Sequence, residues 1–235
     1  MKYKDLPKDL EYYTSVEKIS ELISKSCQWV NNGIIDKSII DEVIEGFGQE
    51  FLHETIQGHG LRKPFGYAGD FMIIDKIYTC HLSKNPKYRI WDEYFHQQSA
   101  PKAVRNRKEY FKTVVKKRFS KGGNVLNVAS GPARDLYELF LENPGLDLKV
   151  TCVEMDGNAI EYAKNVSKEF LSQIDFIQKN VFRFQTTEKF DLIWSAGLFD
   201  YFDDKAFILL LKRFKCWIKP GGEIIIGNFN DNHNP

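Results

Sequence analysis

The stretch Val125-Leu-Asn-Val-Ala-Ser-Gly-Pro-Ala-Arg-Asp135 constrains this chain more than any other. Its apolar run, Val125 to Val128, breaks into small residues and then opens the helical pattern Leu136-Tyr-Glu-Leu-Phe-Leu141. That order predicts a strand, a tight turn and a helix. Ala129, Gly131 and Ala133 stand where small side chains let the backbone approach a ligand closely. A second strand is predicted over Leu148 to Val153 and ends in Glu154, roughly 20 residues after the glycine turn. In a nucleotide-binding α/β unit an acid so placed accepts hydrogen bonds from ribose hydroxyls, so the pattern predicts an adenosine-containing ligand.

The turn narrows the choice of ligand. A dinucleotide site wants glycine at all three positions of G-x-G-x-x-G, so that pyrophosphate can lie on the helix N-terminus. This turn has one glycine, and Pro132 removes an amide that would otherwise bind phosphate. A ligand without phosphates suits it better. The segment resembles the first motif of class I S-adenosylmethionine-dependent methyltransferases, in which strand, small-residue loop and helix hold the methionine part. The resemblance implies that Ala129, Ser130, Gly131 and Asp135 line the cofactor, that Glu154 holds the ribose and that Met155 packs on adenine.

Three further segments carry the same resemblance. Ile174-Asp-Phe-Ile-Gln-Lys-Asn180-Val-Phe182 reads as a third strand ending in Asn180, the position from which the family reaches the adenine amino group, with Val181 beside it. Lys189-Phe-Asp-Leu-Ile-Trp-Ser-Ala-Gly-Leu-Phe-Asp-Tyr-Phe-Asp203 reads as a fourth strand, with Ser195 near its end, running into an active-site loop. In Ile218-Lys-Pro-Gly-Gly-Glu-Ile-Ile-Ile-Gly-Asn228, Pro220-Gly-Gly222 turns a helix into a fifth strand. The expected fold is therefore α/β, a Rossmann-like methyltransferase sheet over residues 121–235, preceded by a helical cap or substrate domain over 1–120. The family sheet normally continues into a helix and an antiparallel hairpin. This sequence stops at Asn228-Phe-Asn-Asp-Asn-His-Asn-Pro235, so the hairpin is expected to be missing and one sheet edge to need cover.

The first 120 residues read as helices leaning over the carboxyl ends of the strands. Val16, Ile19, Leu22 and Ile23 recur at helical spacing, with a stop near Asn31-Asn-Gly33. Asp36 caps a second helix carrying Ile39, Ile40, Val43, Ile44 and Phe47, which continues or restarts through Phe51, Leu52 and Ile56 and closes at Gly58-His-Gly60. A last helix runs from near Pro101 to Phe119. Between them, Lys63-Pro-Phe-Gly-Tyr-Ala-Gly-Asp70 sets Tyr67 between two glycines and places Asp70 to cap a helix from Phe71 to Tyr78. Gly-Tyr-Ala-Gly-Asp, Ala-Val-Arg-Asn-Arg at 103 to 107 and Gly-Leu-Phe-Asp-Tyr at 197 to 201 resemble a bacterial methyltransferase subfamily described as making 3-hydroxypalmitic acid methyl ester. Through that resemblance Tyr67 and Asp70 join the cofactor-binding set.

The chemistry expected is transfer of a methyl group from a sulfonium to a nucleophile, with the protein supplying alignment and a dry pocket. A carboxylate acceptor needs a positive group to hold it, for which Arg105 and Arg107 are candidates. A hydroxyl or amine acceptor needs a base, and Asp200 or Tyr201 is best placed, although Asp200 reads equally well as a helix cap. The aromatics Phe199, Tyr201 and Phe202 suit an apolar acceptor. Two alternatives stand beside it: a related fold that donates the aminocarboxypropyl group of the same cofactor, or a catalytically inactive cofactor-binding partner subunit.

Composition bounds the partners. A net charge of +1 gives no global reason to expect nucleic acid or an anionic membrane. The helix from Lys102 to Arg118 carries eight Lys and Arg against Glu109 alone, best read as a solvated face. The chain shows no apolar run able to span a bilayer, no signal peptide in its first residues and four scattered cysteines, so a cytoplasmic protein with reduced thiols is expected. His53-Glu-Thr-Ile-Gln-Gly-His59 lacks the one-turn spacing of metal-binding histidines, and no metal is expected. The expected partner is a small-molecule or lipid-like substrate, with a homo-oligomer left open.

Overall fold

The computed structural model describes residues 12–67 and 69–229. Packing divides the chain into two compact units, 1–102 and 103–235.

The first unit is helical: α1 (Val16–Asn31), α2 (Lys37–Glu45), α3 (Gln49–Glu54), α4 (Ile56–Arg62), α5 (Phe71–Tyr78) and α6 (Pro86–Gln97). Polar caps set most of the starts, with Ser15, Asp36 and Asp70 each accepting backbone amides of the turn that follows. The core is aromatic: Tyr13, Phe47, Phe51 and Trp91 meet edge to face or tilted, with ring centroids 5.0–5.7 Å apart. Gly58-His-Gly60 lies inside α4 and does not end a helix as expected. Thr55 is the reason, because its hydroxyl donates to the Phe51 carbonyl at 2.8 Å and accepts from the Gly58 amide at 2.9 Å, ending α3 and starting α4. Helix α6 was not read from the sequence, although Asn85 as cap and Pro86 as first helical residue announce it.

Helix α7 (Ser99–Arg118) leads into the second unit. There follow β1 (Gly123–Val128), α8 (Arg134–Glu142), β2 (Leu148–Glu154), α9 (Gly157–Val166), β3 (Ile174–Gln178), β4 (Phe190–Ala196), α10 (Asp204–Trp217) and β5 (Ile218–Gly227). All neighbouring strands are parallel, in the order β3-β2-β1-β4-β5. The chain therefore leaves β1 toward β2 and returns on the far side as β4, and the crevice between the carboxyl ends of β1 and β4 is where such sheets bind ligands. Both faces are covered, as an all-parallel sheet requires. Phe111 and Val115 of α7 and Leu136, Leu139 and Phe140 of α8 bury one face, while Leu210, Phe214 and Trp217 of α10 bury the other. Pro220-Gly-Gly222 does not precede β5 but interrupts its ladder, where pairing shifts between Phe190 and Leu192, as proline cannot donate there.

The basic residues of α7 are not all on a solvated face. Lys108 and Lys112 are buried, and Lys108 meets Glu138 at 2.7 Å while Lys112 meets Glu142 at 2.6 Å and Glu138 at 3.2 Å. Lys116 reaches Glu142 at 2.8 Å and Arg118 reaches Glu223 at 2.8 Å. The acids that balance this helix sit on α8 and β5, out of reach of a reading that counts charges along one segment. Among the described residues no antiparallel strand joins the sheet, and no helix is long and apolar enough to cross a membrane. The expectations for the first eleven residues, for Ala68 and for residues 230–235 lie outside the described residues.

Candidate cofactor and active site

The turn after β1 is built from alternating backbone signs. Ala129, Gly131 and Ala133 all have positive φ, at 56°, 53° and 49°. Its amides are turned inward: Ala129 donates to Val153 at 2.8 Å, Ala133 to Ser130 at 3.2 Å and Gly131 to Glu154 Oε2 at 3.0 Å. The amides of Ala129, Gly131 and Ala133 are thus already bonded and Pro132 has none, which agrees with a ligand free of phosphate. Above Gly131 there is open space, since a Cβ there would meet no atom within 4 Å. Backbone and ligand can touch at that point.

Glu154 joins this turn to the one after β2. Its Oε1 accepts from Met155 N at 2.7 Å and Asp156 N at 3.0 Å, in addition to the Gly131 bond on Oε2. A carboxylate has about four acceptor positions, so three backbone donors leave room for one ribose hydroxyl. Met155 is 63% exposed, large for an apolar residue, and Asn180 Nδ2 donates to its sulfur at 3.5 Å. Strand β3 stops at Gln178, so Asn180 stands in the loop beyond it, where its Oδ1 accepts from Phe182 N and holds the side chain in place. Gly131, Glu154, Met155 and Asn180 thus come together at the carboxyl ends of β1, β2 and β3. Open space over Gly131, an acid and an exposed thioether beside an amide fit the ribose and adenine of S-adenosylmethionine.

The remaining predicted residues separate. Ser195 is fully buried, and its hydroxyl donates to the Val128 carbonyl at 3.2 Å, so it ties β4 to β1 and does not face a ligand. Val181 belongs to the core beside Phe184. The Ser130 hydroxyl is buried against the Cys152 thiol, a weak partner. Asp135 is buried, with Oδ1 accepting from Leu136 N at 2.9 Å. Burial pushes its carboxyl up to about 6, against the pull of the Leu136 amide and of Arg107.

After β4, Phe199 is not an acceptor wall; it sits in the core, packed on Phe202, Phe207 and Phe214. Asp200 Oδ1 accepts from Phe229 N at 3.0 Å, and Tyr201 is 59% exposed. Arg105 and Arg107 cannot act as a pair: both lie within α7, and positions two apart on a helix point about 200° from each other. Arg107 is the one at the strand ends, with its guanidinium against Gly197. Gly197 opens the segment 197–201 noted in the sequence but had no site role there, although a glycine directly after a predicted strand was a usable signal.

In the first unit, Asp70 is committed to the fold. Its Oδ1 caps α5 by accepting from Met72 and Ile73, and His59 Nε2 lies 2.9 Å from Oδ2. Burial pushes the Asp70 carboxyl up, but His59 and the two amides outweigh it and hold it below the usual range. Tyr67 is 36% exposed. Among the described residues no group of three His, Cys, Asp or Glu is arranged to hold a metal.

The fold and this site define an α/β nucleoside-binding unit. Residues 119–235 match the methyltransferase domain family, so that segment is similar to a methyltransferase domain. No curated protein matches the sequence. Among solved structures, a possible exported protein from Bordetella parapertussis shares 24% identity at a TM-score of 0.62, covering 75% of this chain. This chain spans 59% of that protein's length. Three quarters of this chain is more than the second unit holds, so the likeness of fold reaches into the helices of the first. The N-methyltransferase NodS from Bradyrhizobium japonicum WM9 shares 21% identity at a TM-score of 0.47, over 55% of this chain and 70% of that one. A methyltransferase from Thiobacillus denitrificans, solved with S-adenosylhomocysteine, shares 19% identity at a TM-score of 0.41, over 52% of this chain and 47% of that one.

Proposed function

We propose that the enzyme methylates a small or lipid-like acid or alcohol, with 3-hydroxy fatty acids the first acceptors to test. The bound cofactor supplies an activated methyl group on its sulfonium. The protein's part is to hold the ribose on Glu154, to flank adenine with Met155 and Asn180, and to present the methyl between the turns after β1 and β4. We assign cofactor binding to residues 121–235 and acceptor selection to the helical region 1–120.

The observation that carries the acceptor class is the Arg107 guanidinium at the carboxyl end of β4, one turn of chain before Asp200 and Tyr201. A cation there suits an acidic acceptor. A net charge of +1 supports it by offering nothing to a polyanion. The resemblance of the three segments at 66–70, 103–107 and 197–201 to the fatty-acid ester subfamily points the same way. For an alcohol, Asp200 and Tyr201, both exposed, are the groups placed to take the proton. The test compares methyl transfer to 3-hydroxy fatty acids, RNA and peptides. Formation of S-adenosylhomocysteine with a methylated acid or alcohol is expected; methylthioadenosine as product would assign aminocarboxypropyl transfer instead. Methylation of RNA or peptide alone would overturn the acceptor class.

A further inference from the structure

We infer that Arg107 and Gly197 form a clamp that fixes the loop following β4, which makes Arg107 a positioning residue for this reaction. The inference rests on the reading of that loop as the acceptor side of the site, but not on which acceptor is used. Gly197 has φ +83°, and a Cβ on it would stand 2.7 Å from Arg107 Nη1 and 3.5 Å from Cζ. The guanidinium therefore occupies the space where any other residue would carry its side chain. From the opposite direction the Gly197 amide donates to the Gly227 carbonyl at 2.9 Å, so the peptide is held between α7 and the end of β5.

Both ends of the clamp are anchored. On its own helix Arg107 is flanked by Val104 and Phe111, both buried, so the backbone that carries it is fixed by core packing. The buried Asp135 at the start of α8 lies within electrostatic reach of the guanidinium and keeps a counter-charge beside it. Beyond Gly197 the loop is pinned by Phe199 in the core and by Asp200 on the Phe229 amide. These pins reach toward α10 and β5. Arg107 adds a tie toward α7 and the helix that opens after the cofactor turn. Through it the acceptor-side loop takes its position from the same elements that shape the cofactor side, which is the alignment an in-line methyl transfer needs.

Hydrogen–deuterium exchange of the full chain tests the clamp without relying on activity. In Arg107→Ala the amides of residues 197–202 are expected to exchange at least about tenfold faster, while those of β1 and β2 stay within about twofold. Gly197→Ala should give the same pattern, and the double variant should go no further than the larger single effect. Arg107→Lys keeps the charge without the planar fork and should fall between wild type and Arg107→Ala; it carries the test if the alanine variants do not fold. In methyl transfer, the acceptor KM should rise roughly tenfold while S-adenosylhomocysteine affinity by calorimetry holds within about twofold. Unchanged exchange over 197–202, equal acceleration in β1, or additive effects in the double variant would overturn the clamp. A wild-type protein that methylates nothing would sink the proposed function and leave the exchange result standing on its own.

Discussion

Asp135 is a group whose chemistry opposes its place in the fold, and Asp135→Asn measures by how much. Its carboxyl is raised from the ordinary value near 3.9 to about 6, chiefly by burial. A raised carboxyl pKa means that the folded chain holds a proton which the unfolded chain has released. Stability from this group is thus complete below about pH 4, falls as pH rises, and is lost once pH passes about 6. Raising a carboxyl that far costs about 3 kcal/mol at neutral pH. Asparagine has nearly the same shape, keeps an oxygen to accept the Leu136 amide and never ionises, so it escapes that penalty. Allowing for local relaxation, Asp135→Asn should be more stable than wild type by about 2 kcal/mol at pH 8 and by less than half as much at pH 4.5. Urea denaturation of both proteins at the two pH values gives the difference, since every other titrating group is common to them. A gain that is the same at both pH values, or a loss at pH 8, would refute the reasoning. The gain should come with faster exchange over residues 197–202, because the counter-charge beside Arg107 is gone.

Other perturbations probe other parts of the molecule. Glu154→Ala removes a ribose acceptor and the tie between two turns, and should weaken S-adenosylhomocysteine binding by about 1.5–3 kcal/mol in titration calorimetry; unchanged affinity would remove Glu154 from the site. Ser195→Ala deletes a buried hydroxyl bonded within the sheet and should lower stability by about 1 kcal/mol while leaving cofactor affinity unaltered. Lys112→Ala removes the lysine shared by Glu138 and Glu142, which keep Lys108 and Lys116, and should destabilise by about 1–2 kcal/mol in urea melts, with Lys112→Met losing less because the stem still packs. Asp70→Ala removes the α5 cap and the His59 partner, for about 2 kcal/mol or more lost from the first unit at neutral pH. Because the Asp70 carboxyl is held low, that contribution should shrink as pH falls through its folded pKa, and a difference between wild type and variant that grows on acidification would contradict the assignment.

Much of the second unit was legible because its signals are local. Five apolar runs, each bounded by small or polar residues, became five strands, and the acid after the second run became the junction of two turns. In the first unit Asp36 and Asp70 announced their helices for the same reason: a capping carboxylate acts within three residues of itself. What stayed hidden depends on partners far along the chain. The lysines of α7 looked solvated because Glu138 and Glu142 lie 26 to 30 residues away. Ser195 looked like a ligand contact because its bond to Val128 crosses strands 67 residues apart in sequence. Phe199 looked like a pocket wall because its partners on α10 could not be placed.

The turn after β1 carries the same lesson in finer form. Glycine would relieve the backbone at all three positive φ positions, yet two of them are alanine. An alanine in the left-handed region costs about 1 kcal/mol or more, and such strain persists only where the surroundings over-determine it. Here they do: the Ala129 amide is fixed by Val153, the Ala133 amide by Ser130, and Ala133 is wholly buried. In return, alanine leaves the unfolded chain fewer conformations to lose than glycine would, and the folded turn fewer ways to move. Gly131, with open space above it, keeps the one position where a side chain would obstruct. A phosphate-binding turn works by aiming free amides at its ligand, whereas here the Ala129, Gly131 and Ala133 amides are already bonded within the protein. What it presents to a nucleoside ligand is a rigid edge of fixed shape, with Glu154 as the polar group that reads the sugar.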